Sequence, residues 1–170
     1  AKISLHKKDA ETNQAVPQGD ATLENAVYGL YAREDIVHPD GATGVIYKAG
    51  EKVATLTTDE HGEASVDNLY LGSYYVKEIT PPTGYLADEN EYDLVCSYEG
   101  DLVATVEREC TSQEQVVKQP FQIIKAADNG KTDADLLSGA GFTAYLVSSL
   151  SVKEDGNYDF SSATPVVIGE

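Results

Sequence analysis

A lysine and a glutamate occupy the apolar faces of two predicted strands. Alternate residues of a strand point to the same side of a sheet, so Lys7 shares its face with Ile3 and Leu5. Glu78 shares a face with Val76 in the same way. Burial disfavours both charges, which drives the lysine towards a neutral amine and the glutamate towards a neutral acid. These are the forms needed for nucleophilic and acid–base chemistry, and the alternative is a buried ion pair.

The two cysteines are predicted to be free thiols. Segments 91–98 and 102–109 read as the strands of a tight hairpin, which pairs Cys96 near Val103 and leaves Cys110 several residues further along. No histidine or further cysteine lies beside them at metal or redox spacing. Catalytic thiol chemistry is therefore not indicated.

Metal and cofactor sites are also not indicated. The acidic runs 88–91 and 128–133 lack the spacing of a calcium loop and are interpreted as solvated turns. The three histidines are scattered over different elements, which disfavours zinc, and a glycine-rich phosphate loop is missing. We expect no cofactor and no bound metal.

Short apolar-alternating segments separated by turn residues run along the chain, a pattern typical of an all-β sandwich. Besides the hairpin, the predicted strands are Lys2 to Lys8, Ala26 to Arg33, Gly44 to Tyr47, Lys52 to Thr57, Ala64 to Leu69, Gly72 to Ile79 and a last strand around Thr111 to Lys118.

An internal repeat predicts two modules. Residues 3–7 and 23–28 recur in similar form as residues 121–125 and 137–142. Pro120 would stop one strand before the next begins. We expect one complete module over residues 1–118 and the first half of a second, incomplete module over residues 119–170.

Two segments of the chain resemble motifs of one family. Residues 74–85 read Tyr74-x-Val76-x-Glu78-x-x-Pro81-Pro82-x-Gly84-Tyr85, similar to the E-box (Y-x-L-x-E-T-x-A-P-x-G-Y) of Cna protein B-type domains, also called SpaA-type domains. Residues 23–30 resemble the family strand L-x-G-A-x-F-x-L, with Asn25 at the usual glycine. The resemblance covers residues 1–118 and the opening strands of the second module. It implies an immunoglobulin-like (prealbumin-like) β-sandwich of a Gram-positive surface pilin or adhesin.

The resemblance also implies an autocatalytic isopeptide bond, with Lys7 as the amine and Glu78 as the proton shuttle. The family usually places Asn or Asp on the final strand as the acyl donor, whereas this chain has Glu114 there. The sequence leaves open whether the bond forms or a non-covalent pair of Lys7 and Glu78 remains. In the second module Lys125 resembles the reactive lysine and is expected to be an unreacted amine, because its partner residues are missing.

The chain is strongly acidic. It has 12 Lys and Arg against 29 Asp and Glu, a net charge of −17, which excludes nucleic acid and anionic membranes as partners. We expect an extracellular location on the bacterial cell surface, with signal and anchor outside this sequence. The favoured function is a non-enzymatic structural stalk contacting neighbouring modules of the same chain. The alternative is an adhesin module binding a host matrix protein or glycan through residues 32–51.

Overall fold

The computed structural model describes residues 1–119, 122–128 and 137–166. The chain divides into two compact units, Ala1–Val117 and Lys118–Glu170. Among the described residues, no helix is long and apolar enough to cross a membrane. The interpretation of the two units as copies of one module stays a prediction.

The first unit is a β-sandwich, as the sequence predicted. Its strands in chain order are β1 (Lys2–Asp9), β2 (Val27–Ala32), β3 (Ile36–Val37), β4 (Val45–Tyr47), β5 (Lys52–Thr57), β6 (Glu63–Val66), β7 (Gly72–Thr80), β8 (Glu91–Cys96) and β9 (Glu107–Glu114). One sheet has the order β6-β1-β9 and the other β5-β2-β7-β8, while β3 and β4 form a separate hairpin.

The core lies between the two sheets. Strand β1 buries every second residue, from Ile3 to Asp9, which is the alternation expected of a strand with one face in a core. The opposite sheet contributes Tyr28 and Leu30 from β2 and Tyr74 from β7, all fully buried. Lys7 and Asp9, at the end of β1, are therefore buried in the same layer as the apolar residues of this strand.

Parallel pairing of β1 with β9 brings the ends of the unit's sequence together. In this register Lys7 lies opposite Ser112, and Asp9 lies opposite Glu114. The other edge of β1 pairs with β6 in antiparallel fashion. Strand β1 is thus the central strand of its sheet, and its inward side chains meet those of β9.

The predicted hairpin after residue 91 is wrong. Strand β8 pairs with β7, whereas β9 belongs to the other sheet and pairs with β1. Residues 97–106 cross between the sheets, and the last strand is Glu107–Glu114 instead of 111–118. The physical reason is that β9 supplies backbone hydrogen bonds to one edge of β1. A local hairpin of β8 and β9 would leave that edge unpaired. Cys96 and Cys110 are both free thiols.

Segment 32–51, suggested as a binding loop, contains the short β3–β4 hairpin. The Asp35 carboxylate accepts hydrogen bonds from the Lys48 amine and the Ala49 backbone N–H, each at 2.9 Å. These contacts tie the two ends of the segment together.

The second unit is less regular in its described residues. It contains a 3₁₀ turn at Val147–Ser149 and a two-stranded hairpin of β10 (Ser151–Val152) and β11 (Tyr158–Asp159). The strand predicted over 121–125 is wrong for residues 122–125, which lie outside any strand, with Ile123 and Lys125 exposed; Phe121 lies outside the described residues. Among the described residues the segment belongs to no sheet, and its Lys125 carbonyl accepts a single backbone hydrogen bond, from Leu137 N–H at 2.9 Å, whereas a strand needs a ladder of them.

Candidate functional site

The Lys7 amine lies at the centre of a buried polar cluster in the first unit. Its side chain is 0% exposed, and Nζ contacts Glu114 Oε1 directly. The same nitrogen lies 3.6 Å from Glu78 Oε1 and donates a hydrogen bond to the Tyr28 hydroxyl at 3.2 Å. One amine therefore touches a carboxyl group from each of two other strands.

The strands bring the two glutamates to Lys7 from different sheets. Glu114 ends β9, which runs beside β1, and its side chain is 1% exposed. Glu78 lies on β7 of the opposite sheet with a side chain 2% exposed. Cys110, Ser112 and Glu114 share the inner face of β9, because side chains alternate along a strand.

Burial changes the acid–base properties of both Lys7 and Glu78. Loss of water lowers the pKa of Lys7 from 10.5 to about 8, although the charge of Glu78 acts in the opposite direction. Burial raises the pKa of Glu78, against a backbone hydrogen bond from Asp88 and the charge of Lys7. Burial thus favours the neutral amine of Lys7 and the neutral acid of Glu78 more than water does.

Hydrogen bonds connect Glu114 Oε1 to the carboxylate of Asp88. Tyr28 lies 2.8 Å from Glu114 Oε1 and 3.0 Å from Ser112 Oγ. Ser112 in turn donates to Asp88 Oδ2 at 2.9 Å, and the Tyr92 hydroxyl contacts the same oxygen. The cluster therefore extends from Lys7 to Asp88.

Asp88 is a site residue that the sequence interpretation missed, since it was assigned to a solvated turn. The residue is only 8% exposed, and its backbone N–H donates to Glu78 Oε2 at 2.7 Å. Burial opposes its ionisation, but hydrogen bonds from Tyr92, Asn90 and Ser112 lower the pKa of Asp88 below its ordinary value. Asp88 lies in a loop, where no alternation reveals an inward side chain.

Two buried oxygens of the cluster have no hydrogen-bond partner. Among the described residues, the buried side-chain polar atoms without one are Glu78 Oε1 and Glu114 Oε2. An unpaired buried carboxylate oxygen is costly, and protonation removes the charge that makes it so.

The buried carboxylate of Asp9 binds a tyrosine that lies beside Lys7. Asp9 accepts hydrogen bonds from the Tyr85 hydroxyl at 2.9 Å and from Gln18 at 3.0 Å. The ring of Tyr85 lies beside Lys7, with Nζ 5.6 Å from its centroid. The tyrosine that ends the E-box-like motif thus helps to enclose the amine.

The arrangement has the parts for forming an amide from a lysine and a carboxyl group. The Lys7 amine and the Glu114 carboxyl group are in contact in a buried site, and the Glu78 carboxyl group lies next to the amine. Contact of this kind replaces a bimolecular encounter, a large part of the barrier to such reactions. Lys125 lies exposed in the other unit. No group of three or more His, Cys, Asp or Glu in the described residues could hold a metal ion.

Comparison with known proteins identifies a family and a set of similar folds. The family described as SpaA, prealbumin-like fold domain, matches residues 1–109. No curated protein matches the chain in sequence.

Similar solved structures include the major pilin subunit BcpA of Bacillus cereus, with 21% identity, 77% of this chain covered and a TM-score of 0.46. The major pilin SpaD of Corynebacterium diphtheriae has 19% identity, 68% coverage and a TM-score of 0.45. A minor pilin of Streptococcus agalactiae has 20% identity, 72% coverage and a TM-score of 0.45. The chain spans 32%, 30% and 47% of those three structures, respectively.

Proposed function

Because the chain belongs to the SpaA family of prealbumin-like fold domains, we propose that residues 1–118 form a structural module of a pilin-like stalk, locked by an isopeptide bond between Lys7 and Glu114. The observation that carries this proposal is the contact of the buried Lys7 amine with the Glu114 carboxyl group, beside Glu78. The fold and the repeat along the sequence support a module that connects to neighbouring modules of its own chain. A place on the bacterial cell surface follows from this proposal.

The proposed reaction needs no cofactor and balances within three side chains. Glu78 gives its proton to Glu114 Oε2, and the neutral Lys7 amine then attacks the Glu114 carbonyl carbon. The proton released from nitrogen passes through the Glu78 carboxylate to the same oxygen, which leaves as water. The products are one amide bond, one water molecule and an ionised Glu78, so the module reacts once and is not an enzyme with turnover.

Glu114 replaces the shorter Asn or Asp that the family resemblance implies. Its additional methylene is accommodated by the register of the parallel pair, in which Glu114 lies opposite Asp9 and reaches back to Lys7, two residues earlier. The direct contact supports Glu114 as the acyl donor. The second unit carries Lys125, which we propose to be an unreacted amine.

Intact mass spectrometry tests the bond. The wild-type chain should be lighter than its sequence mass by one water, and Glu78→Ala should keep the full sequence mass because its proton shuttle is missing. Glu114→Gln gives a sharper test, since it would lose ammonia instead of water and end at the same mass as the cross-linked wild type. Fragmentation should show the peptides of Lys7 and position 114 joined. A wild-type chain at its full sequence mass would overturn the proposed bond.

A further inference from the structure

We propose that the Tyr28 hydroxyl is a catalytic group in the cross-linking reaction, donating a hydrogen bond to the Glu114 oxygen that becomes the amide carbonyl. This inference rests on the proposed bond between Lys7 and Glu114. It assigns a role to a residue that the proposed reaction of Lys7, Glu114 and Glu78 does not use.

The position of Tyr28 is the first argument. Its side chain is fully buried, and its hydroxyl lies 2.8 Å from Glu114 Oε1 while accepting a hydrogen bond from Lys7 Nζ at 3.2 Å. The hydroxyl therefore touches both the nucleophile and the acyl group. Residues that only fill the core make no such contact with the reacting atoms.

The neighbouring hydrogen bonds decide where the Tyr28 proton points. Ser112 Oγ lies 2.9 Å from Asp88 Oδ2 but 3.3 Å from Glu114 Oε1, so the serine proton belongs to Asp88. Tyr28 donates to Glu114 Oε1, which lies nearer to its hydroxyl than Ser112 Oγ does and which also contacts the Lys7 amine. Burial raises the pKa of Tyr28 far above its ordinary value, which keeps the hydroxyl protonated.

Attack on the acyl carbon moves negative charge onto Oε1, the oxygen that Tyr28 contacts. A donor already in place stabilises this charge without reorganisation, which is the principle of an oxyanion hole. Tyr28 keeps its proton throughout, Oε1 stays on carbon as the amide oxygen, and Oε2 leaves as water. Tyr28 and the Glu78 shuttle thus act on different oxygens of the same carboxyl group.

The sequence supplies an independent reason. Tyr28 occupies the phenylalanine position of the strand motif L-x-G-A-x-F-x-L, and Glu114 occupies the position where Asn or Asp is usual. Two of the positions at which this chain differs from the family pattern, Tyr28 and Glu114, thus have their side-chain oxygens 2.8 Å apart in the fold. A carboxyl donor is a poor electrophile, and a hydroxyl at this place compensates for that weakness.

Tyr28→Phe tests the role while keeping the ring that fills the core. The matched control is Tyr74→Phe, which removes the hydroxyl of another fully buried tyrosine that lies outside the cluster and donates to the Tyr70 carbonyl at 2.7 Å. Each protein is expressed for the same short time and purified as the full chain. The cross-linked fraction is then measured by intact mass spectrometry at intervals during incubation. By analogy with loss of one oxyanion-hole donor, we expect cross-linking roughly 100-fold slower in Tyr28→Phe and nearly unchanged in Tyr74→Phe.

The outcomes separate this inference from the proposed function. Equal rates for Tyr28→Phe and the wild type would overturn the role of Tyr28 while leaving the bond intact. A wild-type chain without any cross-link would overturn the bond and this inference together. Should Tyr28→Phe fail to fold by circular dichroism, fluorotyrosine at position 28 keeps the packing and makes the hydroxyl a stronger donor. Cross-linking should then be faster, and an unchanged rate would contradict the inference.

Discussion

At the residue scale, the site places one amine among three carboxyl groups in a core. Glu78, Asp88 and Glu114 all lie within the hydrogen-bonded cluster around Lys7. Burying a charge costs several kcal/mol unless it is paired, and a single ammonium cannot pair with three carboxylates. Conversion of Lys7 and Glu114 into a neutral amide would remove two of these charges. The electrostatic cost of the unreacted site thus favours the proposed reaction.

The Lys7 pKa leads to a prediction for the stability of an uncross-linked variant. In Glu78→Gln the shuttle is missing, and burial still lowers the pKa of Lys7 in the fold, from 10.5 to about 8 in the wild type, where the charge of Glu78 acts in the opposite direction. Between these values the unfolded chain binds more protons, so stability rises with pH. We expect the free energy of unfolding to increase by on the order of 3 kcal/mol from pH 8 to pH 10.5.

The control for this measurement is the double variant Lys7→Met, Glu78→Gln. The two proteins share every other titratable group, so the difference between their urea unfolding curves isolates Lys7. Parallel stability curves for the two variants would show that the Lys7 pKa is not lowered in the fold.

Sequence reasoning located the residues whose chemistry follows from strand alternation. Lys7, Glu78 and Glu114 could be placed on inner faces because each lies at an even spacing from apolar or small residues of its strand. Asp88 could not, because a loop has no such period. Sequence reasoning did not single out Tyr28, because the contact of its hydroxyl with Glu114 depends on the packing of two sheets.

At the element scale, the strands were easier to predict than their pairing. The prediction over residues 52–57 matches β5, whereas β8 and β9 were joined in a hairpin that does not exist. Local sequence shows which residues alternate but not which distant edge is free to accept them. Asn25 illustrates a local rule that holds: its φ of 66° is a conformation that asparagine tolerates at the usual glycine.

The turn after β7 holds the E-box-like motif against the first half of the unit. Gly84 has φ of +85°, and a Cβ at this position would lie 2.6 Å from Ala21 Cβ. The Thr83 carbonyl on the same turn accepts a hydrogen bond from Thr22 N–H at 3.0 Å. This close approach helps to set Tyr85 beside Asp9 and Lys7.

Gly84→Ala should therefore destabilise the first unit through both strain and overlap, by about 3 kcal/mol. Gly41→Ala is the matched control, because Gly41 has φ of +66° but no atom within 4 Å of the added Cβ. We expect a loss of only about 1 kcal/mol there. Thermal unfolding of both variants measures the difference, and equal losses would contradict a role for the contact with Ala21.

At the scale of the whole molecule, the proposed bond joins the first and last strands of a unit that begins at Ala1 and ends at Val117. Force applied to the two ends of this unit enters through β1 and leaves through β9. With Lys7 and Glu114 linked, the load passes through the covalent bond, and the chain between them carries none of it. A stalk module of this kind would not lengthen under tension.

Single-molecule extension of the first unit, held at its two ends, makes this argument testable. The wild-type unit should show no unfolding step from residues 7–114, because the bond closes that segment into a loop. Glu78→Ala, which lacks the shuttle, should unfold and release about 350 Å of chain, the extended length of the segment. Glu114→Gln serves as the control, since its amide donor yields the same bond and should restore the inextensible unit. Steps of equal length in the wild type and Glu78→Ala would show that β1 and β9 are held by hydrogen bonds and packing alone.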